Sequence, residues 1–374
     1  LAALLYLVIR RAFDKNSVTP AELRTCAPAE SFASLSKQLI ALAVPIAVSS
    51  VIFNITTLID NWVIPSRLMY VLSADFNTVA NMYPGIIAAR GFTPETAVNF
   101  KDYLYGAYDT VLEIKNIVPT FTVTFGLSAV PVLTHAWVKR DRLGVERSIQ
   151  SVLRLTLLLA FPAGCGLVAL APDILNMVYG MSEINAPALP YIAPILMMYG
   201  VSVCFLALTQ PITNMLQVVD RTDVPIKAMA LGAVVKLVSN FVLVSIPSIN
   251  IQGAAIGSIL CNIVMVVYGL AALAKTAEIK YDWKGTFLKP LFCAVLSGIA
   301  AWAINGIYEH FIPAEGLSSF LSADNIAVIA GVFAAVVCYA LSLFATRSLS
   351  KDDILMLPKG RKIVKVLEKY GLIG

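Results

Sequence analysis

The sequence predicts an all-α fold: a polytopic transmembrane helix bundle of about eight complete spans. Three observations lead there. Of the 374 residues, 58% are hydrophobic and only 14% charged, whereas soluble domains carry about a quarter charged residues. The apolar residues gather in runs that match the roughly 20 mostly apolar positions a bilayer-crossing helix needs. Lys and Arg then alternate from one inter-run segment to the next, as retention of positive charge in cytoplasmic loops requires.

In chain order, the apolar opening Leu1–Ile9 is followed at once by Arg10 and Arg11. It reads as the last turns of a helix whose start is missing, because a signal peptide would place its basic residues first. The complete spans are expected at 38–64, 106–138, 149–171, 188–217, 224–246, 252–274, 287–308 and 325–346. The second and fourth exceed one crossing and are expected to tilt or to extend beyond the hydrocarbon. Pro45, Pro119, Pro131, Pro162, Pro194 and Pro211 fall inside spans. Such breaks persist where neighbouring helices or a wet cavity satisfy the freed carbonyls, as in transporters. In the tail at 350–372, Ile363, Val366, Leu367 and Tyr370 share one helical face amid Arg361, Lys362, Lys365 and Lys369, which predicts an amphipathic helix on an anionic inner leaflet.

The charge tally sets the orientation. One set of alternate segments, with the tail, holds 23 Lys and Arg; the opposite set holds only Arg67, Arg90 and Lys101, all in a long loop at 65–105. A cytoplasmic C-terminus follows. The same clustering between apolar runs, rather than along one face, argues against a nucleic-acid partner despite the net charge of +5. Five of the six cysteines lie inside apolar runs, without CxxC spacing, and read as small buried hydrophobes. Two histidines, His135 and His310, and the lack of GxSxG, P-loop or HExxH patterns argue against an enzyme and against a resident metal or cofactor.

Ionisable groups inside apolar spans are costly and mark functional candidates. Lys236, near the middle of 224–246, is the sharpest. It reads either as a cation facing a water-filled cavity, drawn to the phosphates of an anionic lipid carrier, or as one half of a pair with a polar group on an adjacent helix. Asn240 lies one turn on and shares its environment. Asp60 and Asn61 close the first complete span near its outer end; they suit gating or ion coupling, or Asp60 is simply a hydrated interfacial carboxylate. Glu113, Lys115 and Asn116 enter the next span from the outer side just before Pro119; gating or ion coupling by Glu113 and Lys115 competes with a simple intrahelical pair. Gln210, Asn214 and Gln217 recur at helical spacing and are candidates for a sugar path or for interhelical bonding. Asn262 and Asn305 read as interhelical glue, and His135 as structural. On the cavity reading, Lys236→Met is expected to abolish transport and leave insertion and abundance intact.

Several segments carry a family resemblance. Ile40-Ala-Leu-Ala-Val-Pro-Ile through Leu58-Ile-Asp-Asn-Trp-Val-Ile-Pro-Ser-Arg-Leu68 resembles the seventh helix of the stage V sporulation protein B-like polysaccharide flippases. These belong to the multidrug/oligosaccharidyl-lipid/polysaccharide (MOP) flippase superfamily. Gly91-Phe-Thr-Pro-Glu-Thr-Ala, Leu127-Ser-Ala-Val-Pro-Val-Leu, Pro162-Ala-Gly-Cys-Gly-Leu, Leu175-Asn-Met-Val-Tyr-Gly, Lys236-Leu-Val-Ser-Asn240 and Ile251-Gln-Gly-Ala-Ala-Ile-Gly-Ser are similar in the same order. Lys115 matches no family position, and 69–88 is longer than usual.

The resemblance implies the second lobe of a two-lobe transporter plus two C-terminal helices. Residues 1–35 then end a truncated helix and form a cytoplasmic inter-lobe linker. Residues 36–275 form the six-helix lobe, 276–346 the two additional helices, and 347–374 the basic tail. It implies export, by alternating access, of an undecaprenyl-pyrophosphate-type saccharide or peptidoglycan precursor across a bacterial cytoplasmic membrane. A sodium ion or proton is the candidate coupling ion, and membrane lipids and an N-terminal lobe, in cis or on a partner chain, are the partners. Lys236 and Asn240 match the family's Lys-x-x-x-Asn pattern, and Asp60 its seventh-helix acid. Rival readings are a multidrug and toxin extrusion-type cation antiporter, which would show carboxylates at mid-membrane, and a membrane assembly partner that transports nothing.

Overall fold

The structure, a computed structural model, describes residues 31–311 and 323–346. Among them every regular element is helical. Helix α1 (Phe32–Ala74) leads to the short α2 (Phe76–Met82) and α3 (Pro84–Arg90) and a 3-10 turn at Pro94–Thr96. Then come α4 (Ala97–Val138), α5 (Arg142–Ala169), the short α6 (Ala171–Tyr179), α7 (Leu189–Val218), α8 (Asp223–Leu243) and α9 (Gln252–Ala277). A π-helical turn at Lys284–Leu288 opens α10 (Lys289–Phe311), and α11 (Ala323–Ala345) ends the described chain. The predicted partial helix at 1–9 and amphipathic tail at 350–372 lie outside the described residues.

Two compact units divide at Ala47 and Val48. Of the first, the structure describes the opening turns of α1, where Phe32, Leu35 and Leu39 are exposed. Everything that follows concerns residues 48–374.

Long helices occupy all eight predicted places, and six described helices are long and apolar enough to cross a membrane. The stretch 65–105 differs from its reading as a loop. Helix α1 runs on to Ala74, and α4 begins as early as Ala97. The reason is a stripe of apolar residues at helical spacing: Ile64, Leu68, Val71 and Leu72 are buried almost completely, and such a stripe continues a helix past the last span residue. Asp75 then starts α2, its carboxylate accepting from the Thr78 backbone N–H at 3.1 Å and from the Thr78 hydroxyl. Those two donors hold the Asp75 carboxyl below its usual range. Phe76, Tyr83, Phe92 and Phe100 pack edge-on or stacked beneath these short helices. Tyr191 accepts from the Gly85 N–H at 2.8 Å and ties the segment to α7.

A bilayer offers no hydrophobic drive for helices to associate, so close packing of small residues carries it. Helices α5 and α7 meet at Gly164 and Gly200: a Cβ on Gly164 would stand 2.5 Å from the Gly200 carbonyl, and one on Gly200 would stand 2.7 Å from the Gly164 carbonyl. Helix α10 packs along α5 and α11. Polar side chains fasten these contacts: Tyr339 donates to the Leu158 carbonyl at 2.8 Å, Ser297 to the Ala335 carbonyl at 3.0 Å, and the Asn305 amide to Asp173 at 2.9 Å.

Candidate functional site

The site forms where α1, α4, α8 and α9 converge. Spacing of four residues puts Lys236 and Asn240 on one face of α8, and that face meets Asp60 of α1. The Lys236 ammonium donates to Asp60 Oδ2 at 2.6 Å and to the Thr56 carbonyl at 3.2 Å. The Asn240 amide donates to Asp60 Oδ1 at 2.9 Å. Asp60, Lys236 and Asn240 are 4%, 7% and 0% exposed, so this is a buried, charge-compensated triad. Gly257 on α9 makes room for it: the Asn240 carbonyl oxygen occupies the space where a Cβ at 257 would stand. That same oxygen, Asn240 Oδ1, has no hydrogen-bond partner.

Beside the triad lies a cavity of about 350 Å³ bounded by Thr56, Thr57 and Asp60 of α1, Lys115, Asn116 and Thr120 of α4, Lys236 of α8, and Ser258 and Asn262 of α9. Pro119 belongs to the wall. Lacking an N–H, it cannot bond the Lys115 carbonyl one turn back, which loosens α4 where the cavity opens into it. Lys115 Nζ stands 4.1 Å from the centroid of the Tyr199 ring. Among the described residues Lys115 forms no ion pair. The Tyr199 ring is fully buried, and its hydroxyl meets those of Tyr108 at 2.6 Å and Ser258 at 3.3 Å. Among the described residues, the wall thus carries two lysines and one carboxylate.

Of the residues the sequence singled out, the structure brings together Asp60, Lys236 and Asn240, with Lys115 across the cavity. Lys236 does reach a cavity, but its charge is not free, because Asp60 compensates it. The intrahelical Glu113–Lys115 pair does not form: two residues apart, they face different ways, and Glu113 accepts instead from the Tyr179 hydroxyl at 3.0 Å. Asn61 turns away from Asp60 and accepts from the Tyr105 hydroxyl at 2.8 Å. The amide stripe lies outside the cavity wall. Gln210 is exposed and donates to Asn214 at 3.0 Å. Asn214 is buried where α4 and α7 touch at Gly126, and Gln217 is half-buried. Asn262 bridges α9 and α7 through Ser202 at 3.0 Å, and His135 is exposed. Sequence reasoning missed Tyr199, Tyr108 and Ser258. Single hydroxyls within apolar runs resemble ordinary interfacial or glue residues, and their only signal was burial, which a sequence does not display.

A family model for the lipid II flippase MurJ matches residues 117–322. The lipid II flippase MurJ of Bacillus subtilis (strain 168) is 25% identical over 227 residues, 60% of this chain and 40% of that protein. Stage V sporulation protein B of the same organism is 24% identical over 250 residues, 66% of this chain and 44% of that protein. The chain therefore spans less than half the length of these two relatives. An inward-facing multidrug resistance MATE family transporter of the MOP superfamily overlays 82% of this chain and 71% of its own at a TM-score of 0.37, with 14% identity.

Proposed function

The chain belongs to the lipid II flippase MurJ family, and from that premise we propose that it moves a lipid-linked, phosphate-bearing cell-wall or polysaccharide precursor across the bacterial cytoplasmic membrane. This family consists of transporters rather than catalysts, and the helices make the chain a multi-pass membrane protein. Export by alternating access, with the C-terminus cytoplasmic as the Lys and Arg bias suggests, completes the reading.

The observation that carries it is the charge of the cavity. A site for cationic drugs needs an uncompensated carboxylate within the membrane. Here Asp60, the one acid in the wall among the described residues, is held by Lys236 at 2.6 Å. Two lysines thus face one compensated carboxylate, an arrangement that suits an anionic headgroup. The same geometry bears on coupling. Both Asp60 oxygens are engaged by Lys236 and Asn240, so a sodium ion or a proton would act at this carboxylate only after the ammonium moves away. The cycle we propose therefore opens and closes the Lys236–Asp60 pair instead of filling an empty ion site.

The test is translocation of a fluorescent undecaprenyl-diphosphate saccharide in proteoliposomes holding the purified chain, alone and together with a separately produced N-terminal lobe of a family relative. Transport in either arrangement supports the reading. Transport of a cationic dye in its place would support the antiporter, and transport of neither would leave an assembly role.

A further inference from the structure

A second cavity, sharing no wall residue with the first, lies between α5, α7, α9 and the π-helical turn that opens α10. It measures about 450 Å³, within the range of ligand sites. Among the described residues its wall carries no charged side chain and no carboxamide. The floor is buried, and Gly164 and Gly200 leave it its depth, because backbone meets backbone there and no side chain fills the seam. The lips are open: Val201, Val267 and Leu291 are 50%, 59% and 39% exposed. Such a wall gains dispersion contacts only from an apolar guest, and open lips admit one sideways from a bilayer. Along α5 the wall runs from Leu157 to Val168, about 16 Å at the helical rise. That is about half the hydrocarbon thickness, the reach of one lipid chain and not of a full crossing.

The end framed by Trp283 and Phe287 says which molecule owns that chain. Their rings stack at 4.8 Å, Tyr281 meets Trp283 edge-on at 5.7 Å, and the Tyr281 hydroxyl donates to the Leu270 carbonyl at 2.7 Å. Such an aromatic collar suits a membrane–water interface. Around it Lys280, Lys284 and Lys289 are exposed. In the segment 280–289 they face one acid, Asp282, whose Oδ1 accepts from the Gly285 N–H at 3.0 Å. Positive charge beside an apolar slot complements a molecule with an anionic head and an apolar chain.

We propose that this slot seats one acyl chain of an anionic phospholipid from the leaflet on the Lys- and Arg-rich side, with its phosphate among Lys280, Lys284 and Lys289. The chain fills the space between α10 and the pair α7 and α9, whereas toward α5 and α11 helix α10 packs directly. The lipid is a resident of the fold and not its cargo, so the proposal needs only the membrane placement of these helices and stands apart from the transport reading.

The full chain in maltoside micelles is supplied with phosphatidylglycerol or phosphatidylcholine, and the lipid that stays bound is weighed by native mass spectrometry. Wild type is expected to retain one phosphatidylglycerol, about tenfold more tightly than phosphatidylcholine, as attraction to two or three lysines near a membrane surface allows. Val201→Trp, which fills the slot from its exposed lip, should weaken retention about tenfold. If that variant does not purify as a folded protein, Leu291→Trp on the facing lip is read in its place. The triple variant Lys280→Gln/Lys284→Gln/Lys289→Gln should hold both lipids equally, while Lys139→Gln, an exposed charge on α4 at the same end of the bundle, should behave as wild type. No retained lipid, or equal retention of the two lipids by wild type, overturns the proposal. So does a tryptophan variant that retains phosphatidylglycerol as wild type does, or a loss in Lys139→Gln equal to that in the triple variant, which would mean diffuse surface charge. Displacement of the bound lipid by an equal concentration of farnesol would give the slot to an isoprenoid chain and overturn the assigned occupant.

Discussion

Replacing Lys236 with Met tests the triad most directly, and the geometry changes what to expect of it. From the sequence alone, the variant should lose export while keeping its abundance. The structure predicts a folding defect as well. Removing the ammonium leaves the Asp60 carboxylate, 4% exposed, with the Asn240 amide at 2.9 Å as its remaining partner in the triad. Stranding one member of a buried pair costs about 3–5 kcal/mol, and one amide donor, worth about 1.5–3 kcal/mol to a charged acceptor, is already present in wild type and offsets none of it. Asp60→Asn, which strands Lys236, should cost a similar amount. The double variant Asp60→Asn/Lys236→Met removes both charges and keeps an oxygen for Asn240, so it should return to within about 1–2 kcal/mol of wild type. The cycle then yields a coupling energy of at least about 3 kcal/mol. Denaturant unfolding of the purified chain in detergent, read by intrinsic fluorescence, supplies the four free energies. Additive losses, or a Lys236→Met protein as stable as wild type, would refute the claim that this pair holds α1 to α8.

Three further outcomes follow from other contacts. Tyr199→Phe leaves the fully buried Tyr108 hydroxyl without its 2.6 Å partner and should lower stability by about 1–3 kcal/mol, read by denaturant unfolding. Gly257→Ala sets a methyl against the Asn240 carbonyl oxygen and should cost about 1–3 kcal/mol of overpacking; in the Asn240→Ala background, which empties that space, the penalty should disappear. Gly164→Val forces α5 away from the Gly200 carbonyl 2.5 Å from the new Cβ; it should destabilise by a similar amount, and unchanged unfolding would show that the two helices are not in contact there.

Much of the fold was legible because a bilayer imposes one length and one polarity on every crossing. The short helices at 76–90 were not, since seven-residue elements held by a capping carboxylate and an aromatic cluster lack an apolar run to announce them. The site was legible in parts. Asp60, Lys236 and Asn240 each stand out as polar groups in apolar runs, and pairing with an adjacent helix was one of the two readings open for Lys236. The partner was hidden, because 176 residues separate the two charges along the chain, and nothing in either local pattern encodes which helix faces which. Lys115 shows the converse. Next to Glu113 in the sequence it looks like half of a local pair, yet helix geometry turns the two apart and gives Glu113 to Tyr179. The cation most conspicuous in the sequence is the one the fold neutralises, and the one that looked paired is the one the cavity keeps. The Lys236–Asp60 pair joins α1 to α8, so it breaks only when those two helices move apart.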